Sequence, residues 1–187
     1  MEPLSYDWLI ACNSSTGKEY TMSYDFTADE VFEMAEQIER NGVSFYLEAA
    51  ENISDASVRS LFHDLAAMEV EHEKVFASMR AALSDEERKP TVFDPEGGAA
   101  LYLKALADLQ VFVKEEEGDF ILPEDLPEQE KIRKILQTAI CLEKDSIVFY
   151  LGMKDLVPAK AGKDRIDKII KEEMGHIRLL SGLRKKT

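Results

Sequence analysis

Two short segments put a carboxylate and an imidazole three residues apart: Glu69-Val70-Glu71-His72 and Glu173-Met174-Gly175-His176. On a helix, positions i and i+3 share a face, so each pair can grip a metal ion. A lone E-x-x-H in a chain this rich in Glu is a weak signal. Register strengthens it. Glu39 stands 30 residues before Glu69, Glu143 stands 30 before Glu173, and the second set follows the first by 104 residues. The text around the leading glutamates repeats as well: Glu39-Arg40-Asn41-Gly42-Val43-Ser44-Phe45-Tyr46-Leu47 against Glu143-Lys144-Asp145-Ser146-Ile147-Val148-Phe149-Tyr150-Leu151. The chain therefore carries an internal duplication of a helix pair, each half supplying Glu and then Glu-x-x-His.

Apolar residues at three- and four-residue steps define the helices that must hold these groups. Val58, Leu61, Phe62, Leu65, Met68, Val75, Phe76, Met79 and Leu83 form one stripe, and it passes over Glu69 and His72. Ile166, Ile169, Ile170, Ile177, Leu180 and Leu183 form another, which passes over Glu173 and His176. Met34, Met68 and Met174 read as core filler. Thr27-Ala28-Asp29-Glu30 is a capping box that opens a first helix, running to about residue 52. Ser54-Asp55 caps a second helix, from Ala56 to about Leu83. A third runs from about Pro127 to Lys154 with Ile147 and Leu151 inward, Pro158 and Gly162 mark a turn, and a fourth extends from about Ala161 to Leu183. Between the hairpins, Ala99 to about Glu117 reads as an extra crossover helix, because so long a plain loop is uncommon in a compact domain.

The expected architecture is all-α: a four-helix bundle of two helical hairpins joined by a long crossover, covering residues 27–187 behind an amino-terminal extension of residues 1–26. Glu39, Glu69, His72, Glu143, Glu173 and His176 then converge at mid-height. Four inward carboxylates bring a charge of −4, which two divalent cations would neutralise. Carboxylate with imidazole suits iron or manganese better than magnesium, with zinc a possible substitute. Glu69 and Glu173 are expected to bridge, Glu39 and Glu143 to be terminal, and the two ions to lie about 4 Å apart. Tyr46 and Tyr150 follow the leading glutamates by seven residues, nearly on the same face, where a hydroxyl could bond a ligand carboxylate. Glu36, Glu71, Asp145 and Glu172 read as solvated face, His63 as surface, and Cys141 as ordinary packing.

Composition limits the alternatives. Lys+Arg 23 against Asp+Glu 37 gives a net charge of −14, which opposes binding to nucleic acid or an anionic membrane. Cys12 and Cys141 form no C-x-x-C, so a zinc ribbon or iron–sulfur thiolate set is unavailable. No run of apolar residues is long enough to span a bilayer, and residues 1–12 lack the basic and apolar regions of a signal peptide, so a cytoplasmic location is expected.

The pattern Glu39…Glu69-x-x-His72 and Glu143…Glu173-x-x-His176 resembles the ferritin-like di-iron proteins, and over residues 27–183 it is most similar to the rubrerythrin branch. That resemblance implies two iron ions, reduction of hydrogen peroxide or dioxygen in the defence against oxidative stress, a separate electron-donor protein, and a homo-oligomer, expected to be a dimer. Two departures stand out. Where rubrerythrins carry a second Glu one turn after the third-helix ligand, this chain has Ser146, and it has too few cysteines for a rubredoxin-type iron site. Four Glu and two His resemble the symmetric centre of bacterioferritins, so a ferroxidase or iron-binding role is the alternative.

Overall fold

The computed structural model describes residues 27–89 and 125–186. Four long α-helices occur among them: α1 (Ala28–Glu51), α2 (Ala56–Ala81), α3 (Glu128–Leu156) and α4 (Lys163–Arg184), with a 3-10 turn at Ala159–Ala161 before α4. The amino-terminal segment and the crossover helix expected over Ala99–Glu117 lie outside the described residues.

Local chemistry sets the helix ends. The Glu30 N–H donates to Thr27 Oγ1 at 3.1 Å, and the Thr27 N–H donates to Glu30 Oε2 at 2.8 Å, completing the capping box. Asp55 accepts from the Ser57 and Val58 N–H groups at the start of α2. Before α4 the chain reverses through Gly162, whose φ of 99° is left-handed backbone that a side chain strains. A Cβ there would also sit 3.3 Å from the Met79 methyl.

The core is divided. At one end Val31, Phe32, Phe76, Met79, Phe149, Met153, Ile166 and Ile169 pack together. At the other, Ala49, Phe62, Leu65, Ile132, Ile135, Leu136 and Leu180 do so. The first cluster draws on the N-terminal half of α1 and the C-terminal half of α3, so these helices run antiparallel, as do α2 and α4. Between the two clusters the bundle buries Glu39, Glu69, His72, Glu143, Glu173 and His176.

Several expectations about the stripes are corrected. Leu151 is 51% exposed, whereas Phe149 is buried. Past Ile147 the inward positions of α3 advance in steps of three, through Tyr150 and Met153, and this rotates Leu151 outward. Met68 (38% exposed) and Met174 (48%) are not core filler. Each is one residue from an inward glutamate, about 100° around the helix from it. Cys141 is exposed rather than packed. Gly162→Ala should cost about 1–2 kcal/mol of stability, read as a lower midpoint in thermal unfolding followed by circular dichroism; an unchanged midpoint would show that the turn relaxes without strain.

Candidate metal centre

The helical register delivers each group to mid-height, and the four helices each contribute. Glu39 comes from α1, Glu69 and His72 from α2, Glu143 from α3, and Glu173 and His176 from α4. They form two overlapping groups whose candidate ligand atoms lie within 4.8 Å of one another: Glu39, Glu69, His72 and Glu173, and Glu69, Glu143, Glu173 and His176. All six residues expected from the sequence are thus brought together.

Glu69 and Glu173 belong to both groups, and their oxygens divide between them. His72 Nδ1 lies 3.3 Å from Glu69 Oε2 and 3.0 Å from Glu173 Oε1. His176 Nδ1 lies 3.3 Å from Glu69 Oε1 and 2.8 Å from Glu173 Oε2. Each of these carboxylates therefore offers one oxygen to each half. Glu39 Oε2 stands 3.7 Å from His72 Nδ1, and Glu143 Oε1 3.3 Å from His176 Nδ1. The imidazoles stack with centroids 5.7 Å apart. Both oxygens of Glu173 and both nitrogens of His176 are buried without a properly aligned hydrogen bond. Converging lone pairs with no aligned donor are what bound cations satisfy, so the residues present fit a dinuclear metal site.

The tyrosines bond crosswise between the halves. Tyr150 Oη donates to Glu39 Oε1 at 2.5 Å, and Tyr46 Oη donates to Glu143 Oε1. Burial, reinforced by the nearby carboxylates, pushes both phenols well above their ordinary pKa, so they remain donors. Gly42 gives Glu69 its room: a Cβ at position 42 would come within 3.2 Å of Glu69 Cγ. Ser146 Oγ donates to the Leu142 carbonyl of its own helix at 3.0 Å.

Of the residues read as solvated face, Glu36 proves otherwise, and Glu172, exposed as expected, makes an additional contact. Glu36 is buried, with Oε2 3.6 Å from both Arg40 and Arg80. Glu172, although 55% exposed at its side chain, reaches His72 Nε2 at 2.8 Å. Asp145 is half-buried, while Glu71 and His63 are exposed as expected. No periodicity within α4 announces the Glu172 contact; the only sequence signal is an acidic residue next to a ligand position.

The metal-free protonation state follows from these contacts. Burial raises Glu39 well above the usual carboxylate range and Glu143 to about 8. Burial also acts on Glu173, but His176 and His72 outweigh it and hold it at about 2. The same two imidazoles lower Glu69. Burial opposes charge on the imidazoles, yet the surrounding carboxylates win, pushing His176 up to about 12 and His72 strongly upward. Near neutrality two carboxylates then face two imidazoliums while Glu39 and Glu143 hold protons, and the site is neutral. Two divalent cations would keep it neutral by displacing four protons.

Loading two divalent ions at pH 7 should therefore release close to four protons, with affinity rising steeply with pH; calorimetry in buffers of different ionisation enthalpy measures the count, and a value near zero would contradict this protonation pattern. Stability should follow the same linkage. Glu143, raised from 4.5 to about 8, contributes stability that is full below about pH 4.5 and lost as pH rises to about 8. His176, raised from 6.5 to about 12, loses its contribution between those values. Melting of the chelated protein should accordingly fall between pH 5 and 8, and stabilisation by added metal should grow over the same range.

A family model described as Rubrerythrin matches residues 30–184. A solved structure from Thermotoga maritima, assigned as a ferritin-like diiron-carboxylate protein, superposes with a TM-score of 0.60. It shares 23% identity over 86% of this chain and 96% of that one, a likeness of fold. No curated protein matches the chain significantly. Among the described residues no helix is long and apolar enough to cross a membrane. With the family match covering most of its length and the bundle and its buried Glu/His groups in agreement, this chain belongs to the rubrerythrin family.

Proposed function

We propose that the protein is a di-iron oxidoreductase that reduces hydrogen peroxide or dioxygen with electrons from a separate donor protein. In this assignment Glu39, Glu69, His72 and Glu173 hold one iron, and Glu143, Glu69, Glu173 and His176 hold the other. The observation that carries it is the division of the Glu69 and Glu173 oxygens between the two imidazoles. Iron is favoured over magnesium by the mixed carboxylate and imidazole donors, and the Thermotoga maritima protein of like fold is itself described as diiron.

When bound, two ferrous ions supply the two electrons that, with two protons, convert one peroxide to two waters. The chain's own groups do the rest. Glu39 and Glu143 each close one end of the centre, and Tyr150 and Tyr46 fix their rotamers. Each phenol also keeps a proton beside the ligand carboxylate it contacts, available to a reacting oxygen. The apolar clusters above and below restrict water to the mid-height layer. Cys12 and Cys141 are too few for a four-thiolate iron site, and this reading assigns the electrons to a separate donor protein.

One feature favours a second reading. Ser146 bonds its own helix and supplies no further carboxylate, leaving four Glu and two His in a symmetric set. Such a set also suits a ferroxidase or iron-binding protein of bacterioferritin type. Anaerobic ferrous loading followed by optical monitoring separates the two. Much faster oxidation by peroxide than by dioxygen supports the reductase, whereas preference for dioxygen with continued turnover of added ferrous iron supports the ferroxidase. Glu69→Ala and His176→Ala should each lose paired loading while keeping the helical circular dichroism spectrum. Two irons bound per chain in either variant would refute the ligand assignment.

A further inference from the structure

The duplication that builds the centre is broken at one contact. His72 Nε2 on α2 lies 2.8 Å from Glu172 Oε2 on α4. A carboxylate can only accept, so Nε2 carries the hydrogen, and on metal loading Nδ1 turns its lone pair inward. The position related to Glu172 by the 104-residue repeat is Met68, whose thioether is a poor acceptor. The corresponding ring atom, His176 Nε2, is buried without a hydrogen-bond partner.

Resting on the di-metal assignment above, we propose that Glu172 makes the two metal positions unequal, so that the ion held by His72 binds more tightly and first. The residue types are otherwise matched between the halves: Glu69 and Glu173 are shared, and Glu39 with Tyr150 corresponds to Glu143 with Tyr46. The oxygens differ, since Tyr150 bonds Glu39 Oε1 and leaves Oε2 to His72, whereas Tyr46 bonds the same Glu143 Oε1 that faces His176. A carboxylate on the outer nitrogen fixes the ring's rotation and tautomer and makes the inner nitrogen a stronger donor. Loss of such a partner typically weakens metal binding about 10–100-fold. His176 lacks that help and also retains a buried N–H with no acceptor. Access points the same way. His72 and Glu172 line a surface groove of about 400 Å³ between α2 and α4, together with Lys74, Arg165 and Lys168. His176 is fully buried and does not reach it. Glu172 is thus a positioning residue: it acts on the metal through His72.

The test is an anaerobic titration of the full chain with cobalt(II), followed by visible absorption and by paramagnetically shifted imidazole N–H resonances. Two binding steps separated by about 10–100-fold are expected, with a shifted, slowly exchanging N–H already present at the first equivalent. Glu172→Ala should weaken the first step, close the gap and remove that resonance, while the second step holds. Glu172→Gln keeps an acceptor and should recover part of the gap. Met68→Gln offers His176 an acceptor and should narrow the gap from the other side. Two ions binding with one affinity in the natural chain would overturn the proposal, as would equal weakening of both steps in Glu172→Ala, which marks a merely structural role. Fewer than two ions bound by the natural chain would instead remove the di-metal assignment, and this proposal with it.

Discussion

Six ionisable side chains at the waist of an apolar bundle are the constraint on which the rest of this structure depends. Burying an uncompensated charge costs several kcal/mol, far more than one apolar contact returns. Neutrality can be reached in two ways. Glu39 and Glu143 can hold protons while Glu69 and Glu173 pair with two imidazoliums, or two divalent cations can take the place of four protons. The surroundings serve both states. Apolar clusters seal the layer on each side, Tyr46 and Tyr150 satisfy the outer carboxylates, and Gly42 leaves room for Glu69. Outside the waist the same helices need only ordinary packing.

The crosswise tyrosines follow from helix direction. Side chains on an α-helix lean toward its N-terminus. Because α1 and α3 run antiparallel, Glu39 leans toward one end of the bundle and Glu143 toward the other. Tyr46 lies about 10.5 Å beyond Glu39 along α1, at the end toward which Glu143 leans, and Tyr150 stands in the mirrored position. Each phenol therefore meets the glutamate of the other half. The hydrogen bonds tie the two hairpins together across the metal layer, so the duplication is functional as an interlock and not only as a doubled ligand set.

What was legible in the sequence is what one helix encodes by itself. The 3.6-residue period located the four described helices and marked Glu39, Glu69, His72, Glu143, Glu173 and His176 as inward, and the 104-residue repeat tied them into one constellation. The Thr27 capping box and the Asp55 cap fixed two helix starts within a residue. Contacts that depend on rotation between helices were not legible. Glu36 is buried with Arg40 and Arg80 each 3.6 Å from its Oε2, although its repeat counterpart is the apolar Ile140. Glu172 resembles any exposed glutamate until α2 is placed beside α4. Met68 and Leu151 fit a continuous stripe on paper, but inward residues that step by three turn the stripe until these positions reach its edge.

Charge also bears on what such a centre does after oxidation. Four carboxylates match two divalent ions, whereas two trivalent ions leave an excess of +2 in the same buried layer. A further inward carboxylate would offset half of that excess, and at Ser146 the chain has a hydroxyl bonded to its own helix instead. Glu172 supplies one negative charge from the rim, through His72, and only to one side. The remaining imbalance must be relieved by deprotonating solvent within the site or by releasing metal. The first course suits a centre that keeps its ions and cycles with an external reductant, and the second suits one that passes iron onward. His176 is fully buried and is not among the residues lining the groove at His72, a burial that in the reading proposed above would help to keep an ion in place.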